Sequence, residues 1–239
     1  MLIKTEAIVF SALKYGEADL IVKAFTKSSG LKSYLLRNIL KSKKGKLRVA
    51  MFQPLMHLEI EANHKDKGTL ESIREAKVLT HFSSLHIEIT KSALVFFIAD
   101  ILRNAVQEEE ENVPLFEYIT AATLWLDTHN TIANFHLLFM IKLSSYLGFY
   151  PDDTELKFEY FNLIDGTFNQ NENSLYCRSG DVILWLKQLL GINFDGLSKI
   201  KMNQHQRSDL LNMLLQYYEL HLHGFKKPRS LAVLNSIFS

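Results

Sequence analysis

The spacing of apolar residues changes near residue 80 of this 239-residue chain. Before that point, apolar and polar residues alternate, as in LMHLEIEA, where Leu58, Ile60 and Ala62 share one face. After it, apolar residues recur at helical spacing, as in ITKSALVFFIADILRNAV. Because these two periods suit different backbone conformations, the sequence predicts a β-structured first part and a mainly helical second part.

Five short strands are predicted in the first part, separated by turn-forming segments such as KYGEAD, SSG and NHKDKG. The strands read EAIVFSAL, ADLIVKAFT, LKSYLLR, LMHLEIEA and TLESIREAKV. Five strands in about 75 residues match the number and size of an OB-type barrel. The expected fold class is therefore α+β. Residues 1–80 would form a five-stranded OB-type β-barrel, and residues 81–239 a mainly α-helical domain.

Further helices are predicted beyond the first one. They read VPLFEYITAATLWLDTH, TIANFHLLFMIKLSSYLG, SGDVILWLKQLLG, QRSDLLNMLLQYYELHLHG and RSLAVLNSIF. Gly148, followed by Pro151, is expected to end one helix, and Ser179 to be the N-cap of the next, which Gly191 ends. The stretch between Pro151 and Ser179 is polar and irregular, with short strands expected at KFEYFNLI and SLYCR.

Positive charge is concentrated in the predicted barrel. Residues 1–80 carry 15 basic and 8 acidic side chains, a net charge of +7, whereas residues 81–239 have a net charge of −6. No Asp or Glu occurs between Leu20 and Leu58, and the segment KSKKGKLR holds five cations. Such crowded like charges repel one another, and a nucleic acid would reverse the sign of that interaction.

The charge pattern predicts a face that binds DNA on one side of the barrel, where OB-type barrels bind single strands. The residues assigned to it are Lys32, Arg37, Lys41, Lys43, Lys44, Lys46 and Arg48. Tyr15, Tyr34 and Phe52 would either stack on bases or belong to the core. The alternative for KSKKGKLR is a loop that is only solvated.

No sequence pattern indicates catalysis or metal binding. The motifs GxSxG, GxxxxGK[ST] and GxGxxG are absent, and the one cysteine, Cys177, excludes a multi-cysteine metal site. No catalytic residue, metal ligand or cofactor is therefore expected. The EEEE run at 108–111 is expected to be a solvated acidic loop. No apolar run is long enough to span a bilayer, so a cytoplasmic, nucleoid-associated location without a membrane partner is expected.

Four segments together resemble the RecO family of bacterial recombination mediators. The N-terminal one carries Tyr15, Gly16, Glu17, Asp19, Phe25, Thr26 and Gly30, and QPLMHLEIE begins at Gln53. The segment KLSSYLGFYPD carries Leu147, Gly148 and Pro151, and the C-terminal one carries Tyr218, Leu222, Gly224, Ser230 and Leu234. The matches occur in the family's order across nearly the whole chain.

The resemblance implies an N-terminal OB-fold, a helical C-terminal domain and a non-enzymatic role in homologous recombination. It implies binding to single- and double-stranded DNA, strand annealing and association with RecR. It also implies contact with the acidic C-terminal tail of single-strand binding protein, which helps RecA load onto coated DNA.

The chain departs from many RecO relatives in the insert at about residues 151–178, where those relatives carry four zinc-binding cysteines. Here the insert holds only Cys177, so a zinc-free insert packed through Phe158, Tyr160, Phe161 and Phe168 is expected.

Two other functions compete with the recombination mediator. One is an adaptor whose basic loop, KSKKGKLR at residues 41–48, binds an acidic partner tail rather than DNA. The other is an enzyme such as a nuclease, for which the sequence offers no clustered acidic or histidine set.

Overall fold

The computed structural model describes residues 1–41, 46–65 and 69–238. The chain divides into two compact units, residues 1–127 and residues 128–239. The first unit contains the sheet and two helices, and the second contains the remaining helices with a small sheet.

The first unit is built on five antiparallel strands. They are β1 (Leu2–Tyr15), β2 (Asp19–Thr26), β3 (Gly30–Leu36), β4 (His57–Asn63) and β5 (Ser72–Val78), in the order β3-β2-β1-β4-β5. All five predicted strands are confirmed. The first strand pairs with β4 through its first half and with β2 through its second half. A register shift between Val9 and Ser11 gives β1 the bulge that lets it bend between these partners.

Hydrogen bonds between β3 and the residue before β5 close this sheet into a barrel. The Leu35 N–H donates to the Glu71 carbonyl oxygen (2.9 Å), and the Glu71 N–H donates to the Ser33 carbonyl oxygen (2.8 Å). Inside lie Tyr34 and Phe52, which are at most 1% exposed. These two aromatic side chains therefore belong to the core and do not face a ligand.

Two helices complete the first unit: α1 (Ile89–Ala105) and α2, whose assigned range is Val113–Thr128. The ring of Phe116 on α2 lies 6.1 Å from that of Phe25 on β2, and the Thr123 hydroxyl lies 3.0 Å from His57 Nε2. The barrel and both helices thus share one compact unit, which extends well past the sequence boundary near residue 80.

The Asp127 carboxylate joins the end of α2 to the segment that follows β5. It accepts hydrogen bonds of 2.8–2.9 Å from the N–H groups of Ser83, Ser84 and Leu85, and both serine hydroxyls bond to it as well. The buried Lys91 ammonium donates to the Asp127 carbonyl oxygen (2.8 Å) and to the Ser84 hydroxyl (2.7 Å). Burial alone would raise the pKa of Asp127, but these hydrogen bonds hold it well below its usual range.

We expect Asp127→Asn to lower the free energy of unfolding by about 3 kcal/mol at pH 7, because an amide N–H₂ would replace an oxygen that accepts N–H donors. Urea titration against Asp153→Asn, an exposed carboxylate, measures the difference. Since the pKa of Asp127 is lowered in the folded protein, the wild type's greater free energy of unfolding is present above about pH 4 and disappears as the pH falls further. An unfolding free energy equal to that of the control would contradict this role.

Within residues 128–238, the second unit contains four α-helices, a 3₁₀ helix (Phe194–Lys199) and a three-stranded sheet. The α-helices are α3 (Phe135–Tyr146), α4 (Asp181–Leu189), α5 (Gln204–His221) and α6 (Leu231–Ile237). A capping box of Asn203 and Gln206 begins α5. The expected N-cap Ser179 was wrong by one residue, because Gly180 at φ 77° precedes α4. The Tyr218 hydroxyl of α5 donates to the Met140 carbonyl oxygen (2.6 Å) and fixes α5 against α3.

The insert forms a sheet of β6 (Tyr160–Asn162), β7 (Thr167–Asn169) and β8 (Cys177–Arg178), in the order β7-β6-β8. Phe161 and Phe168 are buried with their rings 4.9 Å apart, while Phe158 and Tyr160 are half-buried. The Cys177 thiol donates to Asn173 Oδ1 (2.9 Å), and the Asn162 amide donates to Asp165 (2.7 Å).

These polar groups do not fit a structural zinc ion, which is held by four thiolates or imidazoles. The hydrogen-bonded group around Cys177 includes one thiol, two amides and one carboxylate. Within residues 1–41, 46–65 and 69–238, no group of three or more His, Cys, Asp or Glu is placed to hold a metal ion.

We expect elemental analysis of the purified protein to find far less than one zinc per chain. A chelator should leave the thermal unfolding midpoint unchanged, and Cys177→Ser should cost about 1 kcal/mol or less, because a hydroxyl keeps the bond to Asn173. Stoichiometric zinc that is lost in the Cys177→Ser variant would overturn this expectation.

Candidate nucleic-acid interface

The outer face of β1, β2 and β3 forms a platform of apolar and basic side chains. Leu13, Ile21 and Leu35 lie opposite one another across the three strands, and Ser11, Lys23 and Ser33 form the next row. Directly paired residues of antiparallel strands point to the same side of a sheet. Leu13 is 56% exposed, and Ile21, Lys23 and Leu35 are half-buried. We call Leu13, Tyr15, Ile21, Lys23, Leu35 and Arg37 the platform.

An exposed aromatic ring and an exposed cation lie at the end of the platform beside the basic loop. Tyr15 ends β1 and is 54% exposed, and Arg37 follows β3 and is exposed. The adjoining chain is held in place because the Asn38 N–H donates to Asp19 Oδ1 (2.7 Å) and the Leu40 N–H donates to the Ala18 carbonyl oxygen (2.9 Å). The beginning of the basic loop is thereby fixed against the β1–β2 turn.

The described lysines of the basic loop are exposed and already paired with carboxylates. Lys41 Nζ lies 3.2 Å from Glu17 Oε2, and Lys46 is paired with Glu75 of β5. The hydrogen bond from Lys46 and its charge lower the pKa of Glu75. Exposed pairs of this kind are screened by solvent and stabilise little, so exchanging a carboxylate for a phosphate costs little.

Three more of the predicted contacts belong to this loop, and the structure describes one of them. Arg48 is exposed and precedes a short 3₁₀ helix, Val49–Phe52. Lys43 and Lys44 lie outside the described residues.

Lys32 is placed differently from what its charge alone indicated. It has the same parity as Tyr34 and Leu36, so it belongs to the inner face of β3, and its side chain is only 9% exposed. Its ammonium lies 3.7 Å from the Glu109 carboxylate. The alternation in LKSYLLR already carried this signal, because Lys32 falls on the apolar face of its strand.

A cavity of about 440 Å³ continues the platform at the end of the barrel, between β3 and β5. Its lining is mixed, with the apolar residues Leu35, Leu36, Leu47, Leu70 and Ile73 and the polar residues Arg37, Lys65, Glu71 and Ser72. Its floor is fixed because both Glu71 carboxylate oxygens accept the Lys65 N–H, at 2.9 and 3.0 Å. Its apolar residues offer contacts to a planar base, and its two cations offer contacts to a charged backbone.

No sequence pattern predicted Leu13, Ile21, Lys23 and Leu35 as site residues. They become one surface only through the register of β1, β2 and β3, which a single-strand pattern does not contain. Lys23 belonged to the acid-free stretch, but its outward direction follows from its pairing with Ser11 and Ser33.

Two family models match almost the whole chain. The model described as "Recombination protein O N terminal" covers residues 1–82, and the one described as "Recombination protein O C terminal" covers residues 86–231. The chain belongs to the RecO family. The resemblance seen in the sequence is therefore confirmed, as is the α+β fold class.

Curated relatives named DNA repair protein RecO match over their full length and over all of this chain. The relative from Christiangramia forsetii is 53% identical over 238 residues, and that from Flavobacterium johnsoniae is 46% identical over 239 residues. A relative from Bacteroides fragilis is 38% identical over 242 residues.

Membership of the RecO family gives the chain a role in DNA repair and recombination. The family is one of recombination mediators and is not known for catalysis. Among the helices in the described part of the chain, none is long and apolar enough to cross a membrane.

Proposed function

We propose that this protein is a recombination mediator that holds DNA on the platform and the basic loop of its barrel. The observation that carries the proposal is the platform itself. An exposed aromatic ring, aliphatic side chains and cations occur together on adjacent strands beside a loop with five cations. Stacking surfaces combined with a positively charged path are what proteins use to bind single strands without sequence preference.

In this mechanism the loop and the platform have separate tasks. Phosphates are contacted by the loop cations Lys41, Lys43, Lys44, Lys46 and Arg48. Bases are contacted by Tyr15 and by the aliphatic side chains of Leu13, Ile21 and Leu35. The same phosphate contacts serve double-stranded DNA, because they do not read sequence. Bases that rest on an open face stay accessible to a complementary strand, so annealing needs no nucleotide hydrolysis.

The partners in this proposal follow from membership of the RecO family. The protein would associate with RecR, contact the acidic C-terminal tail of single-strand binding protein and help load RecA onto the coated strand. A nucleoid-associated location in the cytoplasm accompanies this role.

Replacing Lys41, Lys43, Lys44 and Lys46 with Ala should weaken binding to a labelled single-stranded oligonucleotide. With about four phosphate contacts, log K should fall with log salt at a slope near −3 for the wild type and less steeply for the variant. Fluorescence anisotropy at several salt concentrations measures both slopes.

A charge-matched control replaces four exposed lysines of the second unit, Lys199, Lys201, Lys226 and Lys227. It has the same net charge as the loop variant, so it separates a local contact from long-range attraction. Equal binding by the loop variant and the wild type would exclude the loop from the DNA face.

Tyr15→Ala tests the platform independently of charge. If a base stacks on this ring, the variant should lose about 1–3 kcal/mol of binding free energy with an unchanged salt slope. Tyr176→Ala, which truncates a partly exposed tyrosine of the second unit (39% exposed), is the control. A Tyr15→Ala variant that binds like this control would place the bases elsewhere.

An adaptor that binds an acidic peptide is the second candidate, and one observation favours it. Lys41 and Lys46 already hold the carboxylates of Glu17 and Glu75, which is the chemistry that an acidic tail would offer. Salt-sensitive binding of an acidic peptide without any binding of DNA would support the adaptor and overturn the DNA-binding proposal.

A further inference from the structure

The edge of β3 is covered in two different ways along its length. Residues 33–35 pair with Glu71 and close the barrel. Residues 30–32 instead meet the segment between α1 and α2, which contains the four consecutive glutamates 108–111. This acidic run was expected to be a solvated loop, and its side chains are exposed, but its backbone lies against the strand.

Backbone contacts hold the acidic segment at the edge of β3. The Leu31 N–H donates to the Glu108 carbonyl oxygen (3.0 Å). Gly30 has a φ of +63°, and a Cβ at this position would lie 2.3 Å from the Glu110 carbonyl oxygen and 2.7 Å from that of Glu108. The segment therefore approaches β3 more closely than any residue other than glycine permits.

One cation of the barrel, Lys32, completes this contact, and a second, Lys27, is paired with α2. The Lys32 ammonium lies 3.7 Å from the Glu109 carboxylate, and Lys27 lies 3.5 Å from Glu117 at the start of α2. A backbone N–H beside lysine ammonium groups is the donor set with which proteins bind phosphate oxygens. Here the chain's own carbonyl and carboxylate oxygens occupy those donors.

The covered edge borders the platform. Leu31 pairs with Phe25 of β2 in the row that follows the row of Ser11, Lys23 and Ser33, and Leu31 is half-buried on the outer face. A nucleic-acid strand that continues from the row of Ser33 along the edge of β3 therefore reaches the Leu31 N–H next. Its phosphates carry the same charge as the glutamates already present there.

We propose that residues 108–110 occupy a phosphodiester-binding site at the edge of β3, formed by the Leu31 N–H and Lys32. The Glu108 carbonyl and the Glu109 carboxylate stand where phosphate oxygens of a bound strand would lie. DNA that extends beyond the platform displaces the acidic segment. The apparent association constant for DNA is therefore reduced to the intrinsic value multiplied by the fraction of molecules in which the segment is undocked. This inference rests on the proposed DNA binding by the platform.

Gly30→Ala tests the displacement without changing charge, because the added Cβ prevents the segment from docking. We expect it to raise affinity for an oligo-dT strand about 3- to 10-fold in anisotropy titrations. The double variant Gly30→Ala/Lys32→Ala should lose that gain. Gly191→Ala is the matched control, since Gly191 also has a positive φ, of 75°, but nothing lies within 4 Å of its added Cβ.

Glu109→Gln gives a second variant that leaves the backbone unstrained, with Glu155→Gln as control. Glu155 forms an exposed ion pair with Lys157 (2.9 Å) in the second unit. We expect tighter DNA binding for Glu109→Gln and no change for Glu155→Gln. Unchanged affinity in both Gly30→Ala and Glu109→Gln, with each variant folded, would overturn the inference.

Cleavage by a glutamate-specific protease reports the position of the segment directly in the full-length protein. Oligo-dT should accelerate cleavage after residues 108–111 and leave cleavage at Glu155 unchanged. If anisotropy shows binding while cleavage at 108–111 stays the same, this inference fails and the proposed function stands. If the wild type and every variant fail to bind DNA, both fail together.

Discussion

The hydrogen bonds of the Asp127 carboxylate fix the part of the first unit on which the rest depends. They connect the end of α2 to Ser83, Ser84 and Leu85, just after β5, while Lys91 of α1 reaches the Asp127 carbonyl oxygen. The path of the chain from the barrel into both helices is thereby set. Because α1 and α2 are fixed in this way, the segment that joins them lies at the edge of β3. A buried carboxylate with so many donors stabilises this arrangement only while it is ionised.

Strand parity decides which cations of the barrel are presented to a ligand. Lys23 and Lys32 both lie in the acid-free stretch and look equivalent by charge. Lys23 pairs with Ser11 and Ser33 on the outer face, whereas Lys32 shares the inner face with Tyr34. A count of charges therefore overestimates the cations of the platform by including Lys32, which instead contacts Glu109 at the edge of β3. The same rule removes Tyr34 from the stacking residues and leaves Tyr15, which is exposed at the end of β1.

Local patterns were enough to predict the five strands, the helices and the change of period near residue 80, because each depends on neighbouring residues. The remainder depends on contacts between residues far apart in sequence. The bond from Leu31 to Glu108 and the bonds from Ser83 to Asp127 leave no trace in any local pattern. The platform needs the register of three strands, which hydrophobic alternation does not specify. The helix start after Gly180 was missed because Ser179 has the residue type of an N-cap but lies one position too early.

The basic barrel meets a ligand with several of its cations already neutralised. Lys41, Lys46 and Lys32 each hold a glutamate from a different part of the first unit, namely Glu17, Glu75 and Glu109. These pairs limit the self-repulsion that nine cations without a nearby acid in sequence would otherwise cause. In the proposed binding of DNA, a phosphate would replace a carboxylate instead of meeting a bare ammonium group. The gain per contact is then a difference between two similar interactions, and most of the net driving force comes from counterions released by the DNA. A protein that binds by such exchange holds a strand weakly enough per contact to pass it on, as a recombination mediator must.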